Sequence, residues 1–154
     1  MTRYRVAIIG TGSIANLHIQ ALKELKERVE VVAAVDVLRD RVEAFSTQHG
    51  IPRFYTHAAD MLEREHPDLV HIATPPGTHY DLILRSLKSG AWVLCEKPLC
   101  TSLAELDHIL TVEQQTGTYC NSVFQWRFGS GGQHLKHLIQ TEAFGRPLLF
   151  ESGA

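Results

Sequence analysis

The sequence predicts an α/β fold, a doubly wound parallel sheet with helices on both faces, followed by the start of a truncated second domain. Two observations carry this. Short apolar runs alternate with segments of 3.6-residue hydrophobic period, the pattern of parallel strands joined by crossover helices. A glycine-rich turn, GTGSIA at 10–15, stands where the first apolar run gives way to the first helical segment. At 154 residues the chain has the length of one domain, enough to bury about 70 % of its unfolded surface.

The elements follow in order. RVAIIG reads as a fully buried first strand, and a helix follows over about 14–27 with Ile14, Leu17, Ala21, Leu22 and Leu25 on one face. VEVVAAVD is the second strand; Val42 and Phe45 mark the next helix, which Gly50 closes with Pro52 just beyond. A short strand near Phe54 and a helix near 59–65 precede Pro67 and Asp68, which open the fourth strand, LVHIAT. A helix over 79–89 is capped by Gly90, WVLCE is the fifth strand, and Ser102 with Glu105 forms a capping box ahead of Leu106, Ile109 and Leu110. TYCNSVFQW is the sixth strand. FGSGG at 128–132 reads as a flexible joint, a helix follows over 133–144, and Leu148, Leu149 and Phe150 open a strand that the sequence does not complete. The expected division is therefore 1–128 for the sheet domain and 129–154 for a connecting helix and the first strand of a second domain.

Composition narrows the function classes. Hydrophobic residues make up 44 % and charged residues 21 %, which excludes disordered and fibrous chains. A net charge of −2 favours neither nucleic acid nor an anionic membrane as partner. No apolar stretch reaches the roughly 18 residues a membrane span needs. Cys95, Cys100 and Cys120 are an odd number without CxxC spacing, and no secretory leader follows MTRYR, so a reduced cytoplasm is expected.

The chemistry-bearing residues converge on one sheet edge. Gly10, Gly12 and Ala15 have the spacing of a dinucleotide-binding turn: Gly10 permits the sharp turn, Gly12 lets the backbone approach a pyrophosphate, and Ala15 lets helix and strand pack closely. The N–H groups at the helix start, around Thr11, Ser13 and Ile14, face the anion. Asp36 ends the second strand 21 residues past Ala15, where a carboxylate accepts hydrogen bonds from the adenosine ribose. It would repel a 2′-phosphate by up to about 4 kcal/mol at 4 Å in an effective dielectric of 20, which favours NAD. Arg39 and Arg41 stand near enough to offset that repulsion and leave room for NADP. ATPPGTH at 73–79 and CEKP at 95–98 end the fourth and fifth strands on the same edge, and Lys97 can present an ammonium to a substrate oxygen there.

In this order and spacing, GTGSIA, ATPPGTH, SGAWVLCEKPL and FQWRF resemble the amino-terminal half of the glucose-fructose oxidoreductase, inositol dehydrogenase and MocA family, over about residues 4–128. The resemblance implies a nicotinamide dinucleotide held by Gly10, Gly12 and Ala15 at the pyrophosphate and by Asp36 at the ribose. It implies a cleft lined by Thr74, Pro75, Pro76 and His79, and a nicotinamide and substrate framed by Glu96, Lys97 and Pro98. Lys97 is the family's catalytic residue within this chain; its usual partners, an aspartate and a histidine of the second domain, would lie beyond Ala154. The implied activity is hydride transfer between nicotinamide and a secondary alcohol of a sugar or cyclitol, with this chain as the cofactor domain. A non-catalytic dinucleotide-sensing regulator is the competing expectation, and Lys97 argues against it. The second domain, or an unpaired 148–150 edge, offers a route to a homo-oligomer.

No metal is expected. His134 and His137, three apart on a helix, lack further ligands and read as a solvated or interdomain face. His18 reads as a core histidine with its polar atoms satisfied, and Cys95 and Cys120 as small core hydrophobes.

Overall fold

A computed structural model of the chain describes residues 3–143, 145 and 146. The strand expected at Leu148, Leu149 and Phe150 lies outside the described residues. Six strands, β1 (Tyr4–Ile9), β2 (Val29–Val35), β3 (Arg53–Tyr55), β4 (Leu69–Ile72), β5 (Trp92–Cys95) and β6 (Cys120–Ser122), form one sheet in the order β3-β2-β1-β4-β5-β6. Every adjacent pair is parallel. The crossovers are α1 (Ser13–Glu24), α2 (Arg39–His49), α3 (Ala58–Glu65), α4 (His79–Lys88) and α5 (Leu103–Thr116). Strand order reverses between β1 and β4, so their carboxyl ends flank the crevice where open α/β sheets bind ligands.

Side chains alternate across each strand and so build two core layers. Val6 and Ile8 of β1 pack with Ala15, Ile19 and Leu22 of α1 and with Val42 and Phe45 of α2. Ile9, Val70, Ile72 and Val93 pack on the other side with Met61 of α3, Ile83 and Leu87 of α4, and Ile109 and Val112 of α5. Ile8 and Ile72 are wholly buried, each contributing about 1.5–3 kcal/mol. Glu65, also buried, receives Arg53 at 2.6 Å and Arg5 at 3.1 Å, together with the Tyr55 hydroxyl.

Three local expectations need correction. The buried face of α1 is Ala15, His18, Ile19 and Leu22, whereas Leu17 and Leu25 are 59 % and 47 % exposed. Ala15 sets this phase, because the helix starts so close to the sheet that its first inward residue must be small. The Ser102 hydroxyl caps the Glu105 N–H at 3.2 Å, but the Glu105 carboxylate returns to the N–H and hydroxyl of Thr101, at 2.7 and 3.0 Å, not to Ser102. Leu110 beyond it is 46 % exposed.

The third correction concerns the chain after β6. The whole chain divides into two compact units, Met1–Val123 and Phe124–Ala154. In the second, Gln125–Phe128 is a 3-10 turn and α6 (Ser130–Gln140) begins inside the segment expected to be a flexible joint. Gly132 is there for contact: a Cβ on it would lie 2.6 Å from the Trp126 carbonyl oxygen. His134 and His137 are exposed on α6. Among the described residues no helix is long and apolar enough to cross a membrane.

Candidate dinucleotide site

A cleft of about 840 Å³ opens at the switch point between β1 and β4. Gly10, Gly12, Ser13 and Ile14 form its floor, Asp36 one end, and Thr74 and Pro75 the opposite wall. The two glycines serve different ends. Gly10 has φ +93°, and a Cβ on it would lie 2.6 Å from the Ala73 carbonyl oxygen, so the turn and the close approach of β4 both require it. Gly12 has an ordinary φ of −73° and nothing within 4 Å of where a Cβ would project. Its missing side chain leaves space open to the cleft. Helix α1 has no capping side chain and no acid in its first turn, which leaves its first N–H groups available to an anion. Ala15 is wholly buried against the sheet.

Asp36 is 7 % exposed and heavily coordinated. Its Oδ2 accepts from the Thr11 N–H at 3.0 Å and the Thr11 hydroxyl at 2.8 Å, and pairs with Arg41 at 3.5 Å. Among the described residues its Oδ1 accepts only the Leu38 N–H, at 3.0 Å. Burial pushes the carboxyl's pKa up, but the Leu38 and Thr11 N–H groups, the Thr11 hydroxyl and the Arg41 guanidinium outweigh burial and hold it below the ordinary value. A carboxylate offers about four lone-pair sites, so Oδ1 keeps acceptor capacity toward the cleft. Arg39 instead lies over the Phe54 ring, 5.4 Å from its centroid.

Lys97 stands one strand over. Ile72 and Cys95 pair in register and the Glu96 N–H donates to the Ile72 carbonyl at 2.9 Å, which places the β5 end beside Ala73 and Thr74. Lys97 and Pro98 are exposed, joined by a cis peptide bond, and neither they nor Glu96 lines the cleft proper. Pro76 opens an exposed 3-10 turn, Pro76–Thr78. The structure corrects the reading of His79: it is wholly buried, with Nδ1 2.8 Å from the Pro98 carbonyl and Nε2 2.8 Å from the Thr74 carbonyl. No ring nitrogen is left for a cofactor; His79 ties the β4 loop to the β5 loop. Cys95 is buried and Cys120 half-buried, and burial, then Glu113, pushes the Cys120 thiol up to about 12.

Residues 4–124 match the family model described as the Gfo/Idh/MocA oxidoreductase family, NAD-binding Rossmann fold. The chain belongs to this family. A myo-inositol 2-dehydrogenase of Thermotoga maritima is 27 % identical over 93 % of this chain and 42 % of its own length. An inositol 2-dehydrogenase of Saccharopolyspora erythraea is 31 % identical over 94 % of this chain and 43 % of its own. The WlbA dehydrogenase of Chromobacterium violaceum, solved in complex with NADH and UDP-GlcNAcA, superposes with a TM-score of 0.89 at 28 % identity, covering 94 % of this chain and 41 % of that one. The chain thus spans less than half the length of the relatives it matches. These relatives are dehydrogenases, and the regulatory reading draws no support from them.

Several members of the cleft wall escaped sequence reasoning. Val37 and Leu38, 83 % and 51 % exposed, flank Asp36, and Thr56, Ala58, Gly77, Thr78, Asp81 and Leu82 complete the lining. An apolar pair directly after a strand-ending acid is a readable signal for the first two. Gly77 and Thr78 belong to the ATPPGTH segment already placed on this edge, and the others enter because β3 ends, and α3 and α4 begin, where β1 and β4 end.

Proposed function

We propose that this chain is the cofactor half of a nicotinamide-dependent sugar or cyclitol dehydrogenase. The observation that carries the reading is the pairing, across one switch-point cleft, of an open backbone at Gly12 with an ionised, inward carboxylate at Asp36. Those residues fit a dinucleotide: the α1 N-terminus and Gly12 take the pyrophosphate, and Asp36 Oδ1 accepts a ribose hydroxyl. The exposed apolar side chains of Val37 and Leu38 give the adenine a surface. When bound, the dinucleotide would supply the hydride acceptor for oxidation of a carbinol carbon, and Thr74 and Pro75 at the β4 end would hold it on the side of Lys97.

The chain's own residues do the rest of what it can do. Lys97 presents its ammonium to the substrate oxygen and stabilises alkoxide character there. An ammonium has three donors and no acceptor, so it assists the oxygen without taking the hydroxyl proton. His79, whose Nδ1 meets the carbonyl of Pro98, the residue after Lys97, has both ring nitrogens engaged. The proton acceptor and the far wall of the substrate site therefore come from elsewhere in the full protein, and residues 1–154 alone bind cofactor without turnover. NAD is the preferred cofactor and the cytoplasm the expected setting.

The test is a steady-state assay of the protein carrying this chain with its downstream sequence, on inositols and sugars with NAD, beside its Lys97→Ala variant and the 154-residue chain. Turnover by the longer protein, at least 100-fold lower in the variant and absent from the short chain, is expected. Equal turnover by the short chain would overturn the division of labour.

A further inference from the structure

A buried polar chain lies beneath Lys97. His18 of α1, His71 of β4 and Glu96 after β5 are 8 %, 6 % and 9 % exposed. The Glu96 carboxylate is divided between two duties. Its Oε1 accepts from His18 Nε2 at 3.1 Å, and its Oε2 accepts the backbone N–H of Lys97 at 3.2 Å. The other nitrogen of His18, Nδ1, lies 2.9 Å from Nδ1 of His71. Beyond Lys97, the Pro98 carbonyl accepts from His79 of α4. The residues before and after Lys97 are thus each fixed to an imidazole on a different helix, while the Lys97 side chain itself is exposed.

Burying a carboxylate and two imidazoles costs several kcal/mol unless their polar atoms are paired, and an apolar trio would fill the same space without that cost. What the polar version adds is direction. A carboxylate that grips the next residue's N–H orients the peptide from which Lys97 departs, and His18 decides where that carboxylate points. His18 also sits one turn into the helix whose first turn floors the cofactor cleft, so the brace refers Lys97 to the pyrophosphate-binding turn. Either charge state of the His18 ring can keep a proton on Nε2 for Glu96; in the neutral ring, the bare Nδ1 accepts from His71.

We infer that His18 is a positioning residue for Lys97, acting through the Glu96 carboxylate and held in turn by His71. The inference rests on the reading of Lys97 as the catalytic lysine. Two substitutions separate its bonds: in His18→Gln the side-chain amide can reach the place of Nε2 and donate to Glu96, whereas in His18→Asn the shorter amide reaches only the place of Nδ1 and His71. In the dehydrogenase carrying this chain, His18→Asn lowers kcat about tenfold or more with KM for NAD within about twofold, and His18→Gln restores most of it. In the background of Lys97→Ala, His18→Asn has no further effect on kcat. Equal losses in the Asn and Gln variants, or a full additional loss in the Lys97→Ala background, would overturn the inference. A second readout needs no activity. In the 154-residue chain, hydrogen exchange at the Lys97 amide speeds up at least tenfold in His18→Asn and returns toward wild type in His18→Gln; an unchanged rate in His18→Asn sinks the brace even where the enzyme is active. If the longer protein shows no dehydrogenase activity while the exchange result holds, the catalytic reading of Lys97 fails and the brace stands.

Discussion

Arg41 meets Asp36 across 3.5 Å, but the two side chains are unequally committed: the Asp36 carboxylate is 6 % exposed and the Arg41 side chain 51 %. Arg41 borders both the main cleft and a neighbouring hollow lined by Thr11, Gly12, Ser13 and Asn16. As a half-exposed pair it adds no more than about 1 kcal/mol to stability. Its consequence is for ligand charge, because a guanidinium beside the ribose site offsets the repulsion between Asp36 and a 2′-phosphate. The Arg41→Ala variant should lose about tenfold in NADPH affinity, or 1.4 kcal/mol, while NADH affinity changes less than threefold. Parallel fluorescence titrations read both; equal losses would take Arg41 out of cofactor discrimination.

Gly10→Ala should damage the fold itself. The left-handed backbone costs an L-residue about 1–2 kcal/mol, and forcing a Cβ against the Ala73 carbonyl costs about 1–3 kcal/mol more. Urea denaturation should show a loss of roughly 2–5 kcal/mol. A loss under 1 kcal/mol would mean that β4 moves aside easily.

His71 makes the fold sensitive to acid. Burial, aided by the charge on His18, lowers its pKa from 6.5 to about 3. Between those values the unfolded chain binds a proton that the folded chain refuses, so stability is full above pH 6.5 and falls as pH drops toward 3. From pH 7 to pH 4.5 His71 alone should remove roughly 3 kcal/mol. Asp36 works in a lower window: its depressed pKa gives stability that is present above the ordinary carboxylate value and lost as pH falls through the folded value. Denaturation at pH 7 and 4.5 should therefore show a smaller acid loss in His71→Val than in wild type. Identical losses in the two proteins would contradict the account of His71.

The parts of the fold legible in the sequence were those that rest on burial on both faces of a strand or on a backbone conformation only glycine adopts easily. β1, β4 and β5 appear as apolar runs because both their faces are covered, and Gly10, Gly50 and Gly90 mark turns because each has a positive φ. What the sequence hid was partnership. Sequence reading rightly put His18 in the core, but periodicity put Leu17 and Leu25 on the inner face of α1 as well, and hydropathy does not name Glu96 and His71 as the partners beneath it. His79 looked like a cleft residue because its neighbours in sequence are, yet its ring turns inward to two carbonyls. The glycines at 131 and 132 read as a hinge, and only the Trp126 carbonyl reveals that one of them is a packing residue inside a helix.

The most direct measurement is an NADH titration of the 154-residue chain, wild type beside Gly12→Val and Asp36→Ala. A valine at Gly12 meets no protein atom within 4 Å of its Cβ, so folding should be nearly unchanged while its side chain fills the approach to the pyrophosphate. Asp36→Ala removes charge-assisted hydrogen bonds of about 1.5–3 kcal/mol each. The account predicts saturable binding of one NADH by wild type, a loss of at least 100-fold in Gly12→Val at an unchanged melting temperature, and a loss of at least tenfold in Asp36→Ala. Equal NADH binding by all three proteins, or none by the wild type, would contradict it.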